Sequence, residues 1–298
     1  MYLKLETIDY DALLEEYSPV LKFDTESNYW NASPQTMVDW PENKLRFINP
    51  VSTPCASFSY FAHPAQGGTG WGLDTLVEPS DTYPGTACSS SEGDVIDAEG
   101  DHKEAADSYR YGELDNHAYG RVVHDVDGDI WLQYWFFYYF NEQNLLGIGQ
   151  HEGDWEMVQY QLAPSLVPDT ATYSQHQDSA AEACAWSKVA TYPLEEGGQV
   201  VREAPVVYVA AASQASYYVG GTHVRSGRPD DSADGLGEIR NTGAGLVSLA
   251  GLPTWALWPG HWGDGGPVSP GQSDTRWNHP QQFHDGAGLC SNPDGSPR

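Results

Sequence analysis

Apolar and aromatic residues run unbroken from Tyr134 to Phe140, and Ile130-Trp131-Leu132-Gln133 leads into them. Side chains of a strand alternate between faces, so a segment apolar on both faces belongs inside a packed structure, covered on each side. Arg121-Val122-Val123-His124 lies just upstream across Asp127-Gly128, and the two arms read as a hairpin. A glycine-bearing connection, Asn141 to Gly149, delivers the next strand, Asp154-Trp155-Glu156-Met157-Val158-Gln159-Tyr160-Gln161-Leu162. Val20–Phe23 and Pro205 to Ala211 read as further strands, the second of them buried. A short helix is predicted from Asp9 to Tyr17, with Asp9 or Asp11 as N-cap and Ser18-Pro19 as the stop. The stretch Ala171 to Val189 has a weaker pattern, with a helical turn expected over Ser179 to Ala185. From Leu252 onward the chain is rich in Trp, Gly and Pro with little periodicity, and should wrap the sheets rather than extend them.

Composition sharpens this into an all-β expectation. With 31 Gly, 20 Pro, 11 Trp and 18 Tyr in 298 residues, many short strands and tight turns fit better than helices. The predicted architecture is a single β-sandwich domain over residues 1–298, jelly-roll-like, with long irregular loops and a few short helices. A long acidic loop insertion is expected at about 62–108, where Gly, Pro, Ser and Asp dominate. Forty-two acids against 14 Lys plus Arg give a net charge of -28, which repels nucleic-acid phosphates and anionic lipid. No nucleic-acid partner is therefore expected. Such a surface resembles that of proteins from extreme halophiles, an acidic secreted protein being the alternative. No apolar stretch approaches the roughly 20 residues that span a bilayer, and the first residues lack the pattern of a signal peptide. Together these favour the cytoplasm of a salt-adapted organism, with secretion as the other option. Cys55, Cys88, Cys184 and Cys290 show no C-x-x-C spacing for zinc. Free buried thiols are the default expectation, with Cys55–Cys88 the pairing favoured if a bridge forms.

Candidate chemistry concentrates in Gln150-His151-Glu152-Gly153-Asp154-Trp155-Glu156. By strand alternation Asp154 and Glu156 share a face with Val158, Tyr160 and Leu162, the more apolar side. Two ionised carboxylates aimed at a core are costly unless compensated, and a bound cation compensates them directly, with His151 upstream as a further ligand. The alternative is a pair of acids at a solvated strand end, with Trp155 as the anchor. A second acidic segment, Arg228 to Glu238, superficially resembles a calcium loop at Asp230, Ser232, Asp234 and Gly235. Asn241 stands where the twelfth-position glutamate belongs, so it reads as a solvated turn.

Several segments resemble the vacuolar protein sorting-associated protein sixty-two family and its relatives. They are Tyr17-Ser18-Pro19-Val20-Leu21-Lys22-Phe23 with Asn28-Tyr29-Trp30, the run Leu132 to Asn141 leading into His151-Glu152-Gly153-Asp154-Trp155-Glu156, Ser174-Gln175-His176, and Val206 to Val209 with Ser213-Gln214-Ala215-Ser216-Tyr217. Gly260-His261-Trp262-Gly263 and Ser269-Pro270 also look familial. The chain departs from that pattern at Gln214, where the family usually has histidine, so a site there is altered or served by another group such as His223. The spacing of His151, Asp154 and Glu156 is also similar to the heptapeptide of the necrosis- and ethylene-inducing peptide-like proteins. That resemblance implies a β-sandwich with a divalent cation held by the His, Asp and Glu, and recognition of sphingolipid sugar headgroups. Glu152 and Gly153 stand where that motif has basic and imidazole groups.

The resulting expectation is a divalent cation at His151, Asp154 and Glu156, with His176 as an added ligand. Ca²⁺ or Mg²⁺ suits the oxygen donors, and a second imidazole shifts the choice toward Mn²⁺ or Zn²⁺. The ligand would be a carbohydrate or glycolipid headgroup. One rival is a metal-dependent hydrolase with Glu152 or Glu156 as base and His176, Ser213 and His261 in reserve. Another is a structural or trafficking-associated protein without a site. Trp262 and Trp277 are expected to pack in the interior rather than to form a sugar platform.

Overall fold

The computed structural model describes residues 8–46, 60–61, 72–86, 88–97, 102–110, 114–143, 149–176, 181–225, 229–263 and 265–298. Its centre is the long antiparallel pair Ile130–Asn141 and His151–Leu162, in register from Ile130 opposite Leu162 to Asn141 opposite His151. Ala118–His124 pairs with the outer side of the first strand, closing the hairpin over Asp125 to Asp129. Asp125 builds that turn: its carboxylate accepts the N–H of Asp127 and Asp129, each at 3.0 Å, and the indole N–H of Trp131 at 2.8 Å.

Pro168–Ser174, Ala181–Ala185 and Gly288–Leu289 continue this sheet on one side, and Leu246–Ser248 ends it on the other. The helical turn expected at Ser179 to Ala185 is corrected where it is described: Ala181–Ala185 is a strand, paired antiparallel with Pro168–Ser174. A second sheet orders Thr191–Glu196, Gln199–Val209, Val20–Phe23 and Ile239–Asn241, with Ser216–Tyr217 on the edge of Gln199–Val209. Four of the described pairings are parallel, all of them two to four residues long.

The molecule is a β-sandwich with a few short helices. Leu21, Phe23, Val207 and Val209 of the second sheet pack on Leu132, Tyr134, Phe136, Tyr138, Val158 and Tyr160 of the first. The opposite face of the central strands, carrying Trp135, Phe137, Tyr139, Trp155 and Met157, meets a second core. That core is closed by Trp255, Trp258, Trp262, Trp277 and Phe283, so the aperiodic C-terminal segment covers the sheet, and Trp262 and Trp277 pack inside. Residues of the 62–108 segment join it too: Leu76, Tyr83 and Ile96 are buried there, and Val95–Asp97 forms a strand. Burial on both faces is why the run from Tyr134 to Phe140 carries no polar residue.

The N-terminal helix spans Tyr10–Glu16, with the Asp9 carboxylate accepting the Ala12 N–H at 3.0 Å. Among the described residues no helix is long and apolar enough to cross a membrane. The expectation of free thiols is overturned: Cys184 and Cys290 form a disulfide, Cα atoms 5.2 Å apart, tying the last strand to Ala181–Ala185. Cys88 is disulfide-bonded as well, and Cys55, its partner in the expected pairing, lies outside the described residues.

Candidate functional site

The two central strands bring their polar residues to one end. Alternation places Asp154 and Glu156 on the face of Val158 and Tyr160, and both carboxylates are buried, each 2% exposed. Asn141 donates its amide N–H to Asp154 Oδ2 at 2.8 Å, and the Ser174 hydroxyl donates to Glu156 Oε2. Neither acid has an ion-pair partner among the described residues. Burial, followed by the adjacent Asp154 charge, pushes the Glu156 pKa well above the usual carboxylate range. Tyr138 lies directly opposite Asp154 across the pair. Its hydroxyl is buried without a hydrogen-bond partner among the described residues.

The loop after Gln199–Val209 closes over these acids. Ala212 and Gln214 adopt left-handed backbone, φ 62° and 55°, a conformation uncommon for non-glycine residues. Asn141 stitches the loop to the acids by also reaching the Ser213 carbonyl at 3.4 Å. Gln214 Oε1, Ser216 Oγ and Gln175 Nε2 are buried with no hydrogen-bond partner among the described residues. Buried polar atoms in a folded protein are usually paired, and four that are not, counting the Tyr138 hydroxyl, lie on the segments that carry and cover the two carboxylates.

A second acidic centre stands beside the first. Asp231, 3% exposed, accepts hydrogen bonds from Ser213 Oγ at 2.8 Å, Tyr217 OH at 2.6 Å and His176 Nε2 at 2.8 Å, with Arg225 at 3.5 Å. Burial opposes its ionisation, but the His176 contact, the Tyr217 hydroxyl and Arg225 outweigh it and hold its pKa below the ordinary value. Its charge adds to that of Asp154 in raising Glu156. The acidic segment Arg228 to Glu238 is therefore not simply a solvated turn. Asp231–Ala233 is a short strand paired with Gly221–His223 and directs Asp231 inward.

The expected ligands are distributed unevenly. Asp154 and Glu156 are together. His176 sits one step away, committed to Asp231. His151 lies at the start of the same strand, but its Nδ1 faces the Gly153 carbonyl at 2.8 Å. Among the described residues no three of His, Cys, Asp and Glu converge as a ready metal-ligating group. Glu152 departs from alternation: its carboxylate meets the Tyr139 hydroxyl at 3.5 Å, on the side of the tryptophan-rich core. Gly153 causes this with its left-handed φ of 63°, and a Cβ there would lie 2.4 Å from the Trp262 carbonyl oxygen, so only glycine fits. Glu152 is thus not placed to act as a base beside Asp154 and Glu156.

His223 does not replace a histidine at Gln214; it stacks on Tyr217, ring centroids 3.7 Å apart, and its Nε2 meets the Val219 carbonyl at 3.0 Å. His261 is elsewhere, its Nδ1 2.9 Å from the Gly266 carbonyl. Ser213 donates to Asp231 rather than to His176, so no imidazole activates its hydroxyl.

No protein-family model matches the chain, and no curated protein matches it, so the resemblance to the vacuolar sorting-associated family has no support there. Among solved structures, the chain is similar to necrosis and ethylene inducing protein 2 from the causal agent of cocoa's witches' broom disease. That match has 12% identity, 90% of this chain and 95% of that one covered, and a TM-score of 0.36. It is similar to a protein described as a toxin fold for microbial attack and plant defense (14% identity, 86% and 82% covered, TM-score 0.34). It is similar also to NLPPya in complex with glucosamine (14%, 86% and 81%, 0.34). Identities and TM-scores this low say nothing of shared activity.

Proposed function

We propose that the end of the sandwich around Asp154 and Glu156 binds a hard divalent cation, Ca²⁺ or Mg²⁺, and through it a carbohydrate or glycolipid headgroup. The observation that carries this reading is the pair of buried carboxylates with no ion-pair contact among the described residues, the positive charge of Arg276 only partly offsetting the rise at Glu156, together with unpartnered hydroxyl and amide oxygens on the same segments. Burying such a pair is costly unless it is neutralised, and an ion at Asp154 and Glu156 neutralises it. The donors fit: Tyr138, Ser174, Ser216 and Gln214 offer oxygen, while the imidazoles of His151 and His176 are engaged elsewhere. An all-oxygen set favours Ca²⁺ or Mg²⁺ over Zn²⁺. The bound ion would supply positive charge to which sugar hydroxyls can coordinate. Asn141 positions Asp154, Ser174 positions Glu156, and Asp231 holds the 213–217 segment over them through Ser213 and Tyr217.

The disulfide between Cys184 and Cys290 supports a secreted rather than a cytoplasmic protein, because such bridges persist in oxidising compartments. A binding role fits better than hydrolysis, since Ser213 is turned from His176 and Glu152 from the acid pair. The test is calorimetric titration with glucosamine and mannosamine in Ca²⁺ and again in EDTA. Binding of either sugar in Ca²⁺, lost in EDTA and restored by added Ca²⁺, is the expected outcome. Sugar binding that ignores EDTA, or none to either sugar or to glycolipid vesicles, would overturn the reading.

A further inference from the structure

A second site lies at the opposite edge of the eight-stranded sheet from the Cys184–Cys290 bridge. Ala118–His124 has a neighbour on its outer side only as far as Gly120, where Ser248 of the parallel strand Leu246–Ser248 is its partner. Leu249 donates its N–H to the Gly120 carbonyl at 2.7 Å, and the chain then turns away, Leu252 N–H to Leu249 carbonyl at 2.9 Å. Arg121 to His124 are left without a strand on that side among the described residues. Backbone polar groups point to alternate sides along a strand. Gly120 faces outward, so Val122 does too.

A cleft of about 310 Å³ opens at this edge, within the size range of small-molecule sites. Leu14, Leu249 and Leu252 give it an apolar wall, and Tyr10 and His124 meet at its rim, hydroxyl to Nε2 at 3.2 Å. Arg121 is its distinctive group. The guanidinium lies 3.8 Å over the Trp277 ring, and Nη1 donates to the Trp277 carbonyl and, at 3.5 Å, to Gln133. Nε and Nη2 make no hydrogen bond among the described residues, although a guanidinium has five donors. No carboxylate pairs with it among those residues, in a chain with 42 acids and only 14 Lys plus Arg. Burial alone pulls its pKa down to about 10, with no acid opposing the shift.

We propose that this cleft binds a small carboxylate with an apolar body. The carboxylate meets Arg121 and the outward N–H of Val122, and the apolar part rests on Leu14, Leu249 and Leu252. Asp11, exposed at the rim, is the one lining group that opposes an anion, and it fixes the sign of a test.

The probe is phenylacetate, titrated calorimetrically into the full chain, with phenethylamine as the same body bearing the opposite charge. Phenylacetate is expected to bind and phenethylamine not. Asp11→Asn should tighten phenylacetate binding, and Arg121→Gln should weaken it roughly tenfold or more. Because Arg121 also packs on Trp277, the Asp11 variant and the acid–amine comparison decide the matter if Arg121→Gln fails to fold. No binding of phenylacetate, equal binding of acid and amine, or weaker binding in Asp11→Asn would each overturn the assignment.

Discussion

Replacing Cys184 and Cys290 together by serine is expected to lower the free energy of unfolding by about 4 kcal/mol. The bridge spans 106 residues of sequence, and cross-linking so long a loop removes much of the unfolded chain's freedom in the loop-entropy account. The folded side adds a local reason. Gly288–Leu289 is only two residues long and both are exposed, so it holds the end of the chain to Ala181–Ala185 only weakly. Beside that short pairing stand the Cys290 N–H to Ala183 carbonyl bond at 3.0 Å and two bonds from Ser291 to the Glu182 carboxylate, hydroxyl at 2.5 Å and N–H at 3.2 Å. The double variant is preferable to reductant, which would also cut the bridge at Cys88. Urea denaturation gives the magnitude, and limited proteolysis should show cleavage beginning after Asp285. A loss under about 1 kcal/mol, with unchanged proteolysis, would show that the bridge is not a principal fastener of the C-terminal segment.

Trp155→Ala should cost about as much, roughly 4 kcal/mol, for a different reason. Trp155 is 1% exposed at the middle of the tryptophan-rich core. It stacks on Trp255 at 5.7 Å and 13°, and meets Phe137, Tyr119 and Trp262 at 5.1, 5.9 and 6.0 Å. Deleting the indole leaves a cavity that neighbours fixed on a two-sided sheet cannot fill by collapse. Trp155→Phe should cost markedly less, because the residue's contribution is volume and ring contact; its indole N–H has no hydrogen-bond partner among the described residues. Denaturation of both variants, with near-ultraviolet circular dichroism to follow the aromatic core, checks the order. Equal losses for alanine and phenylalanine would place the effect in something other than the cavity.

The parts of this structure that could be read from the sequence are those where local pattern and burial coincide. Continuous apolar sequence from Tyr134 to Phe140 announced a strand covered on both faces, and alternation placed Asp154 and Glu156 on the buried side with Val158 and Tyr160. The helix was legible before Ser18-Pro19, with Asp9 or Asp11 as its cap, and the structure selects Asp9. Where the pattern failed, a single residue or a distant partner was responsible. Gly153, in left-handed backbone, turns Glu152 to the other core, which simple alternation misses. Ala181–Ala185 is a short strand near the sheet's edge with alanine at three of five positions, and nothing local distinguishes it from a helical turn. Asp231 sits among Asp230 and Asp234 in an acidic stretch. Only its pairing with Gly221–His223 and its contacts with His176, 55 residues away, set it apart. The pairing of Cys184 with Cys290 likewise depends on strand neighbours that no spacing rule supplies.

The central claim is that the buried Asp154–Glu156 pair exists to hold a cation, and Glu156→Gln tests it with its shape nearly unchanged. Thermal unfolding of wild type and variant, each in EDTA and then in millimolar-range Ca²⁺ or Mg²⁺, is the most direct measurement. The account predicts that wild type melts several degrees higher with the ion. Glu156→Gln, relieved of the buried repulsion, should melt at or above wild type in EDTA and gain almost nothing from the ion. A variant that responds to the ion as wild type does, or a wild type that ignores it, would contradict the account.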